Sequence, residues 1–215
     1  MTAAVATTGH AHAAGLSEEQ EHGASKRVVV AFGFWIFLIS DIIVFACFFA
    51  AYAVLSGRTA GGPTGRDLFE IDLLAIQTAC LLLSSFTCGL AGLGHPECSA
   101  TRMARIYADV AATFVLGSAF LALELYEFQH LVSVGAGPSR SAFLSAFFAL
   151  VGCHGLHVLA GLLWLLTMMA QVHFKGFRDD ILRRILCFAL FWHTLDIVWV
   201  GLFSLVYLVQ IAPTP

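Results

Sequence analysis

Charge is what this sequence has least of. Its 215 residues include 11 Lys and Arg and 14 Asp and Glu, 12% in all, where soluble domains carry about 25%. Hydrophobic residues make up 59% and the mean hydropathy is +0.85. A water-facing surface is therefore excluded, and a lipid-facing one accounts for the composition. Other scarcities narrow the function. No Gly-rich phosphate loop, nucleophile with a base, or basic aromatic patch is present, which removes nucleotide, hydrolase and nucleic-acid readings. No CxxC pair occurs among the six cysteines. Cys47, Cys80, Cys88, Cys153 and Cys187 lie in apolar runs and Cys98 in a loop, so they read as small buried hydrophobes. The lack of an internal repeat weakens an inverted-repeat transporter.

What is abundant is long apolar sequence. Five runs exceed the roughly 20 residues that a hydrocarbon core requires: Val28 to Leu55, Leu73 to Gly94, Ile106 to Leu131, Ser141 to Val172 and Ile185 to Ile211. They predict an all-α membrane protein, a bundle of five transmembrane helices at about 28–55, 70–94, 103–131, 139–173 and 182–211, in one membrane domain over 28–215. No stretch of soluble-domain size lies outside the runs, which leaves function to the helices and short loops. The first run is too long for a signal-peptide core, and Lys26 and Arg27 come late, so a retained helix is expected.

Residues 1–27 are expected to form a mobile polar tail, because residues 1–25 are rich in Ala, Thr, Gly, His and Glu without apolar periodicity. His10, His12 and His22 there lack the fixed spacing of a metal site. Gly61-Gly62-Pro63 with Gly65, and Gly135 and Gly137 with Pro138, mark turns, and His95-Pro96 ends the second helix. Lys and Arg set orientation, since short loops rich in them stay cytoplasmic. One side carries Lys26, Arg27, Arg102, Arg105, Lys175, Arg178, Arg183 and Arg184; the other carries Arg58, Arg66 and Arg140. The N-terminus is thus expected in the cytoplasm and the C-terminus outside.

Ionisable residues at membrane depth are expensive and mark candidate sites. Asp41 lies fourteen residues past Arg27, roughly 20 Å along a helix at 1.5 Å per residue. A carboxyl near mid-membrane must face the bundle, find a donor or be held neutral. It reads either as a proton-linked group or as a hydrogen-bonded lock between helices. Glu124, Glu127 and His130 contain a Glu-x-x-His element like those of di-iron bundles, but that motif needs a second copy. Within the apolar runs the other acid and histidine pair at this spacing, His193 and Asp196, runs in reverse order. His154 and His157 share a face of the fourth helix and His193 lies on the fifth, so a haem between helices and a set of helix-locking hydrogen bonds both remain open. By depth, a contact of Asp41 with one of these histidines is also open. Small residues four apart, at Ala108 and Ala112, Ser118 and Ala122, and Ala142 and Ala146, suggest close packing, and Trp35, Trp164, Trp192 and Trp199 read as structural.

Four stretches carry a resemblance: GFWIFLISDIIVFACFFAAY at 33–52, LELYEF at 123–128, SAFFALVGCHGLHVLAGLLW at 145–164 and FWHTLDIVWVGLF at 191–203. They resemble subunit III of the haem-copper respiratory oxidases across all five helices. Within that family the chain looks like the short, five-helix form, and TAGGPTGRDLFE at 59–70 with GPSRSAFLSAFFALVG at 137–152 is similar to the bo-type ubiquinol oxidase. Cytochrome c oxidases are the alternative. Asp41 stands where many relatives have Glu, and Glu124 where many have Gln.

The resemblance implies a non-catalytic subunit of a proton-pumping terminal oxidase in a bacterial inner membrane. It would hold no haem, copper or other metal of its own. Those groups are expected in subunit I, the direct partner, with subunits II and IV and phospholipids completing the assembly. Supporting roles at subunit I are stabilisation and proton uptake. Asp41, Glu124, Glu127, His154, His157, His193 and Asp196 are the intramembrane polar positions expected to act structurally or in proton handling. Two competing classes remain. One is a small proton-coupled transporter using Asp41 and His193; the other is a metal enzyme using Glu124, Glu127 and His130.

Overall fold

The computed structural model describes the backbone of residues 6–92, 100–175 and 179–211, and the side chains of these apart from residues 6–27, 31, 67, 92, 100–103, 173–175, 179–183 and 211. Lipid offers the backbone no hydrogen bonds, so spanning segments must satisfy their own, and helices do so within one segment. The described residues accordingly form helices and connecting turns. In chain order they are α1 (Ala6–Leu55), α2 (Gly65–Leu68), α3 (Ile71–Gly92), α4 (Ala100–Ser133), α5 (Ala142–Lys175), α6 (Asp179–Leu202), a π-helical segment Phe203–Leu208 and α7 (Val209–Ile211). Among the described residues five stretches are long and apolar enough to cross a membrane: Val28–Leu55, Ile71–Ala91, Ala104–Ser133, Ala142–Val172 and Arg184–Leu208. The chain is thus an all-α, multi-pass membrane protein.

Helical backbone begins at Ala6, ahead of the span, where the sequence suggested a tail without regular structure. Ala, Glu and Gln are good helix formers, and a helix nucleated in the apolar run extends into them at low cost. The side chains of His10, His12 and His22, and Cys98 and His95-Pro96 entirely, lie outside the described residues. The chain divides into two compact units, Met1–Ser40 and Asp41–Pro215. In the first unit the described side chains are mostly apolar and exposed, Phe32, Trp35, Ile36 and Phe37 among them.

In the second unit α3 packs along α4 and α6, and α5 along the same two helices. Three glycines permit the close approaches. A Cβ at Gly117 would fall 2.9 Å from Trp192, one at Gly161 2.8 Å from the same ring, and one at Gly155 2.5 Å from the Glu124 carboxyl. Trp192 is thereby wedged between α4 and α5; its Nε1–H donates to Ser84 Oγ on α3 at 3.0 Å. By contrast Ala108, Ala122 and Ala142, from the expected small-residue stripes, are exposed.

One end of this unit gathers the turns. Gly62 N–H donates to Thr59 O at 2.8 Å, with Ala60 and Gly61 both left-handed at φ 50° and 70°, the backbone of a primed turn. Helix α4 stops in a Schellman arrangement: Gly135 at φ 80°, Ala136 N–H donating to Leu131 O and Gly135 N–H to Val132 O. Helix α5 then starts on Ser141, whose Oγ accepts from Leu144 N–H at 3.2 Å, an N-cap. Phe143 N–H reaches Arg58 O, so the 56–70 and 134–141 connections share this end. At the other end Arg184 donates to Gln171 across α5 and α6 at 2.6 Å.

Candidate functional site

The polar side chains within the spans are not scattered; most meet a partner on another helix. Asp41 on α1 is 11% exposed and its Oδ1 lies 3.0 Å from His157 Nε2 on α5. The second ring nitrogen, Nδ1, is 2.7 Å from the carbonyl of Cys153. A carbonyl only accepts, so Nδ1 carries a hydrogen. One further proton must then sit between Nε2 and Oδ1, as imidazolium facing carboxylate or as imidazole facing carboxylic acid. Either way the pair is neutral as a whole, which lowers the cost of placing it in the membrane.

Helix α3 supplies the neutral partners. Gln77 Nε2 donates to Glu127 Oε2 on α4 at 3.1 Å, and Ser85 Oγ meets His193 Nδ1 on α6 at 2.7 Å. Trp199 Nε1 donates to Thr78 Oγ1 at 3.1 Å, and Thr87 pairs with Thr113 on α4 at 2.8 Å. Interhelical hydrogen bonds of this kind contribute about 0.6 kcal/mol each on average.

The remaining expected positions are buried with at least one polar atom unpartnered, although Asp196 has Ser85 on α3 as a hydrogen-bond neighbour. Glu124 is 2% exposed, its carboxyl lodged in the space left by Gly155, and its Oε2 has no partner. His154 is fully buried with both nitrogens unpartnered, stacked on Trp199 at 5.3 Å and edge-on to Phe120 and Phe45. Asp196, one turn from His193, is buried and its Oδ1 is unpartnered.

Among the described residues, these placements do not fit a haem or metal. His157 is committed to Asp41, His193 to Ser85, and His154 is enclosed by rings. Glu127 and His130 line one cleft while Glu124 lies apart from its lining. Among the described residues no group of three His, Cys, Asp or Glu side chains could hold a metal ion.

The sequence reading passed over Gln77, Ser84, Ser85 and Tyr207. The spacing of Gln77, Ser84 and Ser85 at seven and eight residues was the available signal, since it places polar groups on one face of an otherwise apolar helix.

Five membrane spans joined by bundle-internal polar contacts make this a multi-pass membrane protein whose helices are held together through side-chain hydrogen bonds. The chain belongs to the cytochrome c oxidase subunit III family, whose model matches residues 12–210, and this family is the non-catalytic subunit III of haem-copper oxidases. It is 48% identical over 198 residues to the cytochrome bo(3) ubiquinol oxidase subunit 3 of Pseudomonas aeruginosa, covering 92% of each chain. Identity is likewise 48% to the protein of that name from Pseudomonas putida, over 88% of this chain and 89% of the relative. It is 39% to the quinol oxidase subunit 3 of Bacillus subtilis, over 89% and 97%.

Proposed function

We propose that this chain is the subunit III of a bo-type, proton-pumping ubiquinol oxidase. The observation that carries the reading is the 48% identity along 92% of a relative so named. In this reading the chain stabilises subunit I, which holds the haems and copper and reduces dioxygen, and it contacts subunits II and IV and bound phospholipid. The location is a bacterial inner membrane, N-terminus cytoplasmic and C-terminus periplasmic, which the eight-to-three split of Lys and Arg supports. The large apolar side chains left exposed on α1, α5 and α6, such as Ile42, Leu163 and Ile197, suit lipid and a neighbouring membrane subunit equally.

Asp41 and His157 are the pair proposed to support proton uptake, because one labile proton lies between two titratable groups. Glu127, His193 and their α3 partners are proposed as helix locks. Gentle solubilisation followed by identification of the companions tests the whole. Recovery with a haem-bearing subunit and a quinol-oxidising activity is expected. A soluble copper domain that binds cytochrome c would transfer the chain to a cytochrome c oxidase. Proton-coupled transport by the chain alone in vesicles would sink the subunit reading.

A further inference from the structure

A cleft opens at the end of the bundle that carries the 56–70 connection, between the start of α3 and the last turns of α4. Its lining includes Glu70, Leu73, Tyr126, Glu127 and His130. The cavity volume is about 40 Å³, where one water needs roughly 10–15 Å³, and Glu70, Glu127 and His130 give it polar walls. Glu127 forms its inner wall.

Behind Glu127 lie polar atoms that the protein leaves unsatisfied. Gln77 is fully buried; its Nε2 bonds Glu127, yet its Oε1 has no partner. Glu124, one helical turn from Glu127, is 2% exposed and its Oε2 has none. Tyr207 is fully buried beside the carboxyls of Glu127 and Glu124; its hydroxyl faces Glu127 as hydrogen-bond neighbour without reaching good geometry. It stands in the π-helical segment, a local widening of the helix that recurs at functional sites. Buried polar groups left unbonded cost about 1–3 kcal/mol each, so Gln77 and Glu124 on either side of Glu127, with the poorly aligned Tyr207 hydroxyl beside them, imply a polar ligand small enough to enter between them. Among the described residues the donor set does not make a metal site, and water supplies the donors that Gln77 Oε1 and Glu124 Oε2 lack and a better-aligned acceptor for Tyr207.

We propose that Glu127, Gln77, Glu124 and Tyr207 form a water-binding chamber, connected through the Glu70–His130 cleft to bulk water at one membrane surface. It is an inlet of two or three waters, so the buried carboxyls exchange protons with that surface. This site is separate from Asp41–His157 and does not depend on which oxidase the chain serves.

Two measurements on the intact complex test it. A density map of the wild-type complex fine enough for ordered water is expected to show water within hydrogen-bonding distance of Gln77 Oε1 or Glu124 Oε2. X-ray radiolysis, which oxidises side chains beside bound water, is expected to label buried Tyr207 well above equally buried Trp192, whose Nε1–H already has Ser84 as its acceptor. That labelling should be lost in Leu73→Trp, which plugs the cleft. A dry map, or Tyr207 labelling no higher than that of Trp192 or unchanged by the plug, overturns the proposal. The map needs no variant, so a misfolded plug would not rescue it.

Discussion

Replacing Asp41 by Ala and by Asn separates two things that one pair could be doing. His157 Nδ1–H is committed to the Cys153 carbonyl at 2.7 Å, so neutral His157 presents an Nε2 lone pair toward position 41. Asn can donate its amide N–H to that lone pair and keep the bond between α1 and α5; Ala cannot. A hydrogen bond involving a charged or proton-sharing group contributes about 1.5–3 kcal/mol. The lower end applies, because the His157 side chain is 26% exposed and retains some access to other partners. Asp41→Ala is therefore expected to cost about 2 kcal/mol, near 30-fold in an equilibrium at 1.4 kcal/mol per decade. Asp41→Asn should cost less than about 1 kcal/mol, as a neutral hydrogen bond replaces a stronger one. The assay is thermal unfolding of the purified complex, followed by loss of the chain from it. For a chain of this size about 2 kcal/mol moves the midpoint by roughly 4–8 °C. Equal losses in Ala and Asn would refute the hydrogen-bond account, and no loss in either would refute the lock itself.

At Gly161 an added methyl meets the Trp192 ring at 2.8 Å and Phe191 at 3.2 Å, so Gly161→Ala should destabilise by about 1–3 kcal/mol. Coupling with Trp192→Phe of at least about 0.5 kcal/mol in a double-mutant thermal series would locate the clash. Ser141→Ala removes the N-cap of α5 and should cost about 1 kcal/mol, with Ser141→Asp nearly neutral in the same assay. For topology, a membrane-impermeant maleimide should label Ser139→Cys in cells whose outer membrane alone is opened. Arg184→Cys should react only after the inner membrane is breached; the reverse pattern would invert the proposed orientation.

Some of this architecture was legible before any coordinates. Spans follow from the length of apolar runs because the bilayer imposes one thickness on all of them. The loops followed from Gly61 and Gly135, where the backbone needs conformations that other residues resist. Partners were harder. Depth alone put Asp41 level with three histidines, but which one it meets depends on helix rotation, and His157 rather than His154 is met. Helix α3 was underread for a related reason: Gln77, Thr78 and Ser85 are neutral, so they stand out less in an apolar run than a carboxylate does. Close approaches were misplaced as well. Small residues four apart pointed to packing stripes, of which Ala108, Ala122 and Ala142 are exposed, whereas Gly117, Gly155 and Gly161 take contacts in which a tryptophan ring and a carboxyl need more room than Ala leaves. The π-helical segment had no local signal at all, since its residues Phe203–Leu208 are as apolar as their neighbours.

The chemistry of the pairs also separates locks from proton carriers. On α3, each bond joins a neutral side chain to its partner: Gln77 to Glu127, Ser85 to His193, Thr78 to Trp199, Thr87 to Thr113. Such a pair orders two helices with at most one titratable group taken out of water. Asp41 and His157 do the same mechanical task with two titratable groups, at a higher desolvation cost. A Ser or Gln at position 41 would hold α1 to α5 more cheaply, so packing alone does not account for the carboxyl there. What the carboxyl adds is a proton that can sit on either partner, and this favours a proton-related role for Asp41–His157 over a purely structural one. Asp41→Asn then becomes the decisive variant a second time. It keeps the bond and removes the shared proton, so assembly should survive while proton uptake by the complex slows. Unchanged uptake in a fully assembled Asn variant would return Asp41 to the class of locks.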